Sequence, residues 1–279
     1  MKATFLGIGA QKCATTWLHD ILADHPQVSL PSTKEVDFFS NYFDYGFQWY
    51  ENHFRATPAQ RVCGEVSPSY LHGLAVPKRV FAYDKHMRLI LLLRNPIDRA
   101  VSNHKHEVRI GHLSGADLTF EFGLHNNPAY VEQGLYASHL ERWLEYFPRQ
   151  RILVMLMDDI IADTGAAART VYEFLGVRSD HLSKSLHERS NESYVNPHQS
   201  LERMRKAAFG AMTALGMGRL WTTIAAAGAR KIYRQVNWRT FEGVIPPMKE
   251  ATREKLRAEF APDLERLEVL IGRSLKHWS

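Results

Sequence analysis

Five consecutive residues, Leu89-Ile-Leu-Leu-Leu93, contain no polar side chain. The run is too short for a buried helix and has the length of a strand. A strand that is apolar at every position must be covered on both faces, as in a parallel sheet packed between helices. Three other segments fit the same sheet: Phe5–Gly9, Arg61–Glu65 and Arg151–Leu156. Helical patterns alternate with them. The first ends near His25-Pro26, others cover Pro77–Lys85, the stretch from Pro96 and Gly134–Phe147, and Thr164–Leu175 is stopped by Gly176. The alternation predicts an α/β fold, a P-loop-like parallel sheet with helices on both faces. A C-terminal helical portion follows, with Lys249–Leu275 expected as a helix pair. One domain over residues 1–279 accommodates all of this, with a helical insert at about 201–241.

In such sheets ligands sit at the C-terminal strand ends. At the first of these ends stands Gly9-Ala-Gln-Lys-Cys-Ala-Thr-Thr16, followed by a helix with Trp17, Leu18, Ile21 and Leu22 on one face. Loop amides and the helix dipole favour an anion there, and Lys12 adds a full positive charge. The hydroxyl of Thr15 or Thr16 caps the helix or donates to the ligand. The loop lacks the second glycine of the ATP-binding Gly-x-x-x-x-Gly-Lys-Ser/Thr pattern, and its lysine comes early.

A net charge of +5 suits anionic ligands. No long Lys/Arg run or zinc spacing accompanies it, so nucleic acid is not the expected partner. Two cysteines, Cys13 and Cys63, are too few for a disulfide framework and read as free thiols. The N-terminal apolar run is broken by Gln11-Lys12, so no secretory signal is expected, and a soluble, cytoplasmic protein is. The aromatic stretch Tyr42–Phe54 reads either as a hydrophobic satellite under a loop or as a wall of an acceptor cleft.

The strand Leu89–Leu93 runs into Arg94-Asn-Pro-Ile-Asp-Arg-Ala-Val-Ser102, where Asn95 is a candidate N-cap and Pro96 a favourable first helical residue. Together with the Lys12 loop, this segment resembles the paired nucleotide segments of the sulfotransferases that use 3′-phosphoadenosine 5′-phosphosulfate (PAPS). Further similar pieces are Lys34-Glu-Val-Asp-Phe-Phe39, Gly64-Glu-Val-Ser-Pro-Ser-Tyr70, Gly134-Leu-Tyr136 and the tail from Ile245-Pro-Pro to Lys276-His-Trp278. The resemblance implies the sulfotransferase fold and transfer of a sulfuryl group from PAPS to an acceptor hydroxyl, leaving 3′-phosphoadenosine 5′-phosphate (PAP). It implies that Gln11, Lys12, Cys13, Ala14, Thr15, Thr16 and Trp17 hold the 5′-phosphosulfate end. Arg94 and Ser102 would take the 3′-phosphate, and Tyr136 joins the cofactor site. Glu35 stands where glycan-modifying members carry their base, with Asp37 as runner-up. Lys12 would neutralise charge on the leaving phosphate. Asp37, Tyr70 and His104 are candidate acceptor contacts.

The acceptor implied is a saccharide or glycolipid. The alternatives are a lipid or other small-molecule hydroxyl and, in a different class, a P-loop kinase; a non-catalytic nucleotide binder would be expected to lose Glu35. Val66 stands where some glycan members have lysine, and Arg99, His104, Lys105 or Arg109 are the cations on hand to replace it. No metal is expected. His104 and His106 are two apart on a helix and face different ways. The insert over 201–241 mixes small apolar residues with Arg203, Arg205, Lys206, Arg219, Arg230, Lys231 and Arg234. It suits a cap over the acceptor cleft, a grip on a lipid portion of the acceptor, a dimer face or peripheral membrane contact.

Overall fold

The computed structural model describes residues 2–55, 57, 59–187, 194–195, 204, 207, 239–240 and 244–278. Apart from residues 204, 207, 239 and 240, the insert expected over 201–241 lies outside the described residues, and with it the membrane and dimer readings. The chain divides into two compact units: residues 1–100, 128–191 and 253–279, and residues 101–127 and 192–252.

The first unit is built on five parallel strands, β1 (Phe5–Gly9), β2 (Val28–Ser29), β3 (Val62–Val66), β4 (Arg88–Leu93) and β5 (Ile152–Leu156), in the order β2-β3-β1-β4-β5. Leu89 to Leu93 are wholly buried, as are Phe5, Leu6 and Ile8, so both faces of the sheet are covered. The covering side chains include Leu18, Ile21 and Leu22 of helix Thr15–Ala23, Val80 of helix Val76–Tyr83, Trp143 of helix Tyr136–Leu144 and Val171 of helix Thr164–Leu175.

The ends of these elements follow local chemistry. Asn95 Oδ1 accepts from the amides of Ile97 and Asp98 at 2.9 and 3.3 Å, capping helix Pro96–Ile110 as the sequence predicts. Asp163 caps Thr164–Leu175 through the amide of Ala166, and Gly176 closes it in the left-handed conformation, φ 70°.

Three expectations need correction. The segment Arg61–Glu65 does form a strand, but it is third in the chain, because Val28–Ser29 pairs with it as a short edge strand. Two residues between Pro26 and Pro31 carry no readable period. The expected helix pair over Lys249–Leu275 is one helix, Glu250–Ile271, with Pro262 inside it. Proline there removes a hydrogen bond and costs about 3 kcal/mol. Packing on both sides offsets this: Leu256, Phe260 and Leu267 are buried, and Asp263 is 3% exposed. The carboxylate of Asp263 accepts from the amides of Ala137 and Ser138 at 2.8 and 3.1 Å and so caps helix Tyr136–Leu144 from another part of the chain. Finally, the aromatic stretch is no separate satellite. Tyr50 stacks on Phe38 at 4.6 Å, and both belong to the main core, while Tyr42, Tyr45 and Phe47 stay at the surface.

In the second unit, Val108 packs with Leu113, Leu118, Val244 and Ile245. The carboxylate of Glu121 there accepts from Lys249 N and Thr252 Oγ1, both at 2.9 Å. Strands β6 (Tyr194–Val195) and β7 (Arg239–Thr240) form an antiparallel pair. Among the described residues, no helix is long and apolar enough to cross a membrane.

Close approach of β1 and β3 depends on Gly64. A Cβ at that position would lie 2.2 Å from the carbonyl oxygen of Phe5. Gly64→Ala is expected to cost about 3 kcal/mol or more in urea unfolding, because backbone rather than a flexible side chain would have to yield. An unchanged unfolding midpoint would contradict this packing.

Candidate active site

The chain proceeds from β1 to β2 and β3 on one side of β1, then to β4 and β5 on the other. The order therefore reverses between β1 and β4, and the crevice at such a switch point is the usual ligand site of an open parallel sheet. The Lys12 loop leaves the end of β1, and Arg94 follows β4.

Ala10 N donates to Leu92 O at 2.7 Å and pins the start of the loop to β4. Lys12 and Ala14 then adopt left-handed conformations, φ 69° and 61°. Each costs on the order of 1–3 kcal/mol in a residue with a Cβ. The step from left-handed Ala14 into the right-handed helix at Thr15 turns successive amides to one side, a concave anion site. No side chain caps this helix N-terminus among the described residues.

Cys13 lies beneath the loop. Its thiol is wholly buried, 3.6 Å from the hydroxyl of Tyr136 and against the backbone of Arg94. Burial pushes it up to about 11, so it is a neutral packing group that joins the Lys12 loop to the Arg94 segment. Tyr136 is also wholly buried. Thus Cys13 and Tyr136 support the loop from below, whereas Gln11, Lys12, Ala14, Thr16, Trp17 and Arg94 are partly exposed. Thr15 is 8% exposed. The indole N–H of Trp17 is buried without a hydrogen-bond partner among the described residues. Cations, loop amides, threonine hydroxyls and a spare indole donor form a set suited to a phosphorylated nucleotide. Ser102 lies on helix Pro96–Ile110, in the portion assigned to the second unit.

The segment after β2 reaches the same loop. Lys34 Nζ donates to Thr16 Oγ1 at 2.8 Å and stands 3.6 Å from Glu35 Oε1. Glu35 and Asp37 are left-handed, φ 57° and 54°, on either side of buried Val36. Asp37 is held through its carboxylate, which accepts from Ser69 Oγ at 2.5 Å. Glu35 is exposed.

Other candidates lie elsewhere. The hydroxyl of Tyr70, wholly buried, donates to Glu65 at 2.6 Å. His104, in the second unit, is 1% exposed and bonds Leu118 O at 3.0 Å. Arg99 is wholly buried and donates to the carbonyls of Ala129 and Tyr130 and to Gln133. It is a structural cation and no surface replacement for a lysine at position 66. Lys34 and Glu65 are two residues whose roles only the folded arrangement brings out. A glutamate inside an otherwise apolar strand, Val62–Val66, is itself a signal, since a buried carboxylate needs donors. Burial pushes its carboxyl above the usual carboxylate range, opposed by hydrogen bonds from Ser67 and Tyr70.

Residues 3–217 match the family described as Sulfotransferase domain, and the chain belongs to the sulfotransferase family. It is 31% identical over 178 residues to heparan sulfate glucosamine 3-O-sulfotransferase 6 of Homo sapiens, a match covering 61% of this chain and 51% of that protein. It is 30% identical over 247 residues to heparan sulfate glucosamine 3-O-sulfotransferase 3B1 of Mus musculus, covering 84% of this chain and 61% of that protein. The chain thus spans between 51% and 61% of the length of these relatives. The crystal structure of a sulfotransferase from Alicyclobacillus acidocaldarius superposes with a TM-score of 0.72 at 25% identity, covering 100% of this chain and 99% of that one.

A buried histidine on helix Tyr136–Leu144 gives the first unit an acid limit. Arg142 Nη2 donates to His139 Nδ1 at 2.7 Å, so His139 carries its proton on Nε2 and donates to Glu132 O at 2.8 Å. Burial pushes His139 down to about 4 from the ordinary 6.5. Between those values the unfolded chain takes a proton that the folded one refuses, so stability falls as pH drops from 6.5 to about 4. The full effect is about 3 kcal/mol. Thermal melts across this range should show a shallower acid slope for His139→Asn; an equal slope would remove the assignment.

Proposed function

We propose that this chain transfers a sulfuryl group from PAPS to a hydroxyl of a saccharide or glycolipid. One observation carries the reading: Lys34 contacts Thr16 at 2.8 Å and Glu35 at 3.6 Å, tying an exposed carboxylate to the anion-binding loop. PAPS supplies an activated sulfuryl group on a phosphate oxygen. Lys12, the loop amides and the threonine hydroxyls bind that phosphate, and Arg94 binds the 3′-phosphate. Glu35 takes the proton of the acceptor hydroxyl as its oxygen bonds to sulfur and the bond from sulfur to the phosphate oxygen breaks. Lys12 offsets the charge that then gathers on the phosphate. The saccharide class draws support from the heparan sulfate sulfotransferases among the relatives and from Glu35, which matches the base of glycan-modifying members.

Three variants separate these roles. Glu35→Gln should lower kcat by roughly 10²–10⁴-fold with PAP affinity unchanged. Arg94→Ala should raise the donor KM, because a charge-assisted contact to phosphate is lost. Lys12→Ala should lower kcat as well, since the charge it meets grows in the transition state. Thermal shifts should be larger with PAP than with AMP or ATP. Equal shifts for PAP and AMP would remove the 3′-phosphate site, and near-normal turnover by Glu35→Gln would remove the base.

A further inference from the structure

The unusual backbone around Glu35 is held from one place. Glu35 and Asp37 are both left-handed, and neither is a glycine. Such conformations persist only where the surroundings over-determine them. Three amides of the segment converge on the carboxylate of Glu65. Val36 N donates directly to Oε2 at 3.0 Å. Asp37 N donates to Ser67 Oγ at 3.1 Å, and Ser67 passes its own proton to Oε2 at 2.6 Å. Phe39 N donates to the hydroxyl of Tyr70 at 3.4 Å, and Tyr70 donates to Oε1 at 2.6 Å.

The direction of each bond is fixed by the amides, which only donate. Each hydroxyl accepts from the segment and donates inward, so Glu65 is the acceptor at the end of all three paths. Glu65 is 1% exposed and lies in β3, paired in register with Leu6 of β1. Its place is therefore fixed by the strand that leads into the Lys12 loop. A second clasp closes the other side: Ser40 Oγ donates to Asp37 O at 3.1 Å and lies 2.8 Å from Ser69 Oγ, and Ser69 donates to the carboxylate of Asp37.

We propose that Glu65 is a positioning residue for Glu35, gathering the amides of Val36, Asp37 and Phe39 so that the Glu35 carboxylate is presented beside Lys34 and the donor loop. The proposal rests on the reading of Glu35 as the base. Glu65 touches neither substrate and acts through the backbone of residues 35–39. A glutamine at position 65 has nearly the same volume, but it turns an amide group toward a donor. At least one of the three paths must then break.

A double-mutant cycle tests this, with Glu35→Gln, Glu65→Gln and the double variant compared by kcat, both KM values, PAP affinity and thermal midpoint. Glu65→Gln is expected to lower kcat by about 10- to 100-fold, since small misplacement of a catalytic group has effects of that order. PAP affinity should stay within about twofold. The double variant should turn over no more slowly than Glu35→Gln alone, because a displaced base and an absent base are equivalent. If Glu65→Gln fails to fold, Ser67→Ala and Tyr70→Phe each cut one path, and the same non-additivity with Glu35→Gln is expected. Losses that multiply in the double variant would overturn the proposal while leaving Glu35 as base. So would normal turnover by folded Glu65→Gln, or a fall in PAP affinity matching the fall in kcat. Near-normal turnover by Glu35→Gln alone would remove the base assignment and this role for Glu65 with it.

Discussion

A parallel strand cannot turn directly into its neighbour. Each connection must travel back along a face of the sheet, so every strand starts at one edge and finishes at the other. In this chain that constraint does the sorting. With β1 in the centre, the segments that follow β1, β2, β3 and β4 all emerge on one edge, and they carry Lys12, Glu35, Ser67 with Tyr70, and Arg94. Groups separated by dozens of residues need no special device to meet. What they do need is a sheet dry on both faces, and the wholly buried run Leu89–Leu93 provides its spine.

The loops at this edge are less relaxed than the sheet beneath them. Lys12, Ala14, Glu35 and Asp37 are the non-glycine residues with positive φ among those described. They fall in two pairs, each spanning a buried residue, Cys13 in one and Val36 in the other. In both pairs the middle residue is buried while its neighbours are partly or fully exposed. The strain is local and is carried by contacts to the neighbouring elements, Arg94 after β4 and Tyr136 of helix Tyr136–Leu144 for the first pair and Glu65 of β3 for the second.

Much of this was legible in the residues. The apolar run at Leu89–Leu93, the caps at Asn95 and Gly176, and the loop around Lys12 each rest on short-range rules that tertiary structure did not override. Three features were not. Val28–Ser29 is too short to show a period, and its strand character comes entirely from pairing with β3. Pro262 reads as a break, but the contacts made by Asp263 and Phe260 restore the helix, and those contacts come from far along the chain. The left-handed residues carry side chains that argue against such a conformation, so only the partners reveal it. Glu35 is marked by its motif, whereas the only mark on Glu65 is a carboxylate within an apolar strand.

The bracing of the Arg94 segment bears on the order in which the molecule assembles. Asn95 Nδ2 donates to Trp278 O at 2.8 Å, Trp278 Nε1 donates to Asp158 at 3.0 Å, and Asp263 caps the helix that carries Tyr136. As the chain leaves the ribosome, β1 to β5 are available by residue 156, but these three contacts wait for residues 263 and 278. The contacts that brace the Arg94 edge are therefore the last of these to become available during synthesis. A chain ending before residue 263 would carry all five strands but none of these three contacts, so the bracing of this edge depends wholly on the final segment.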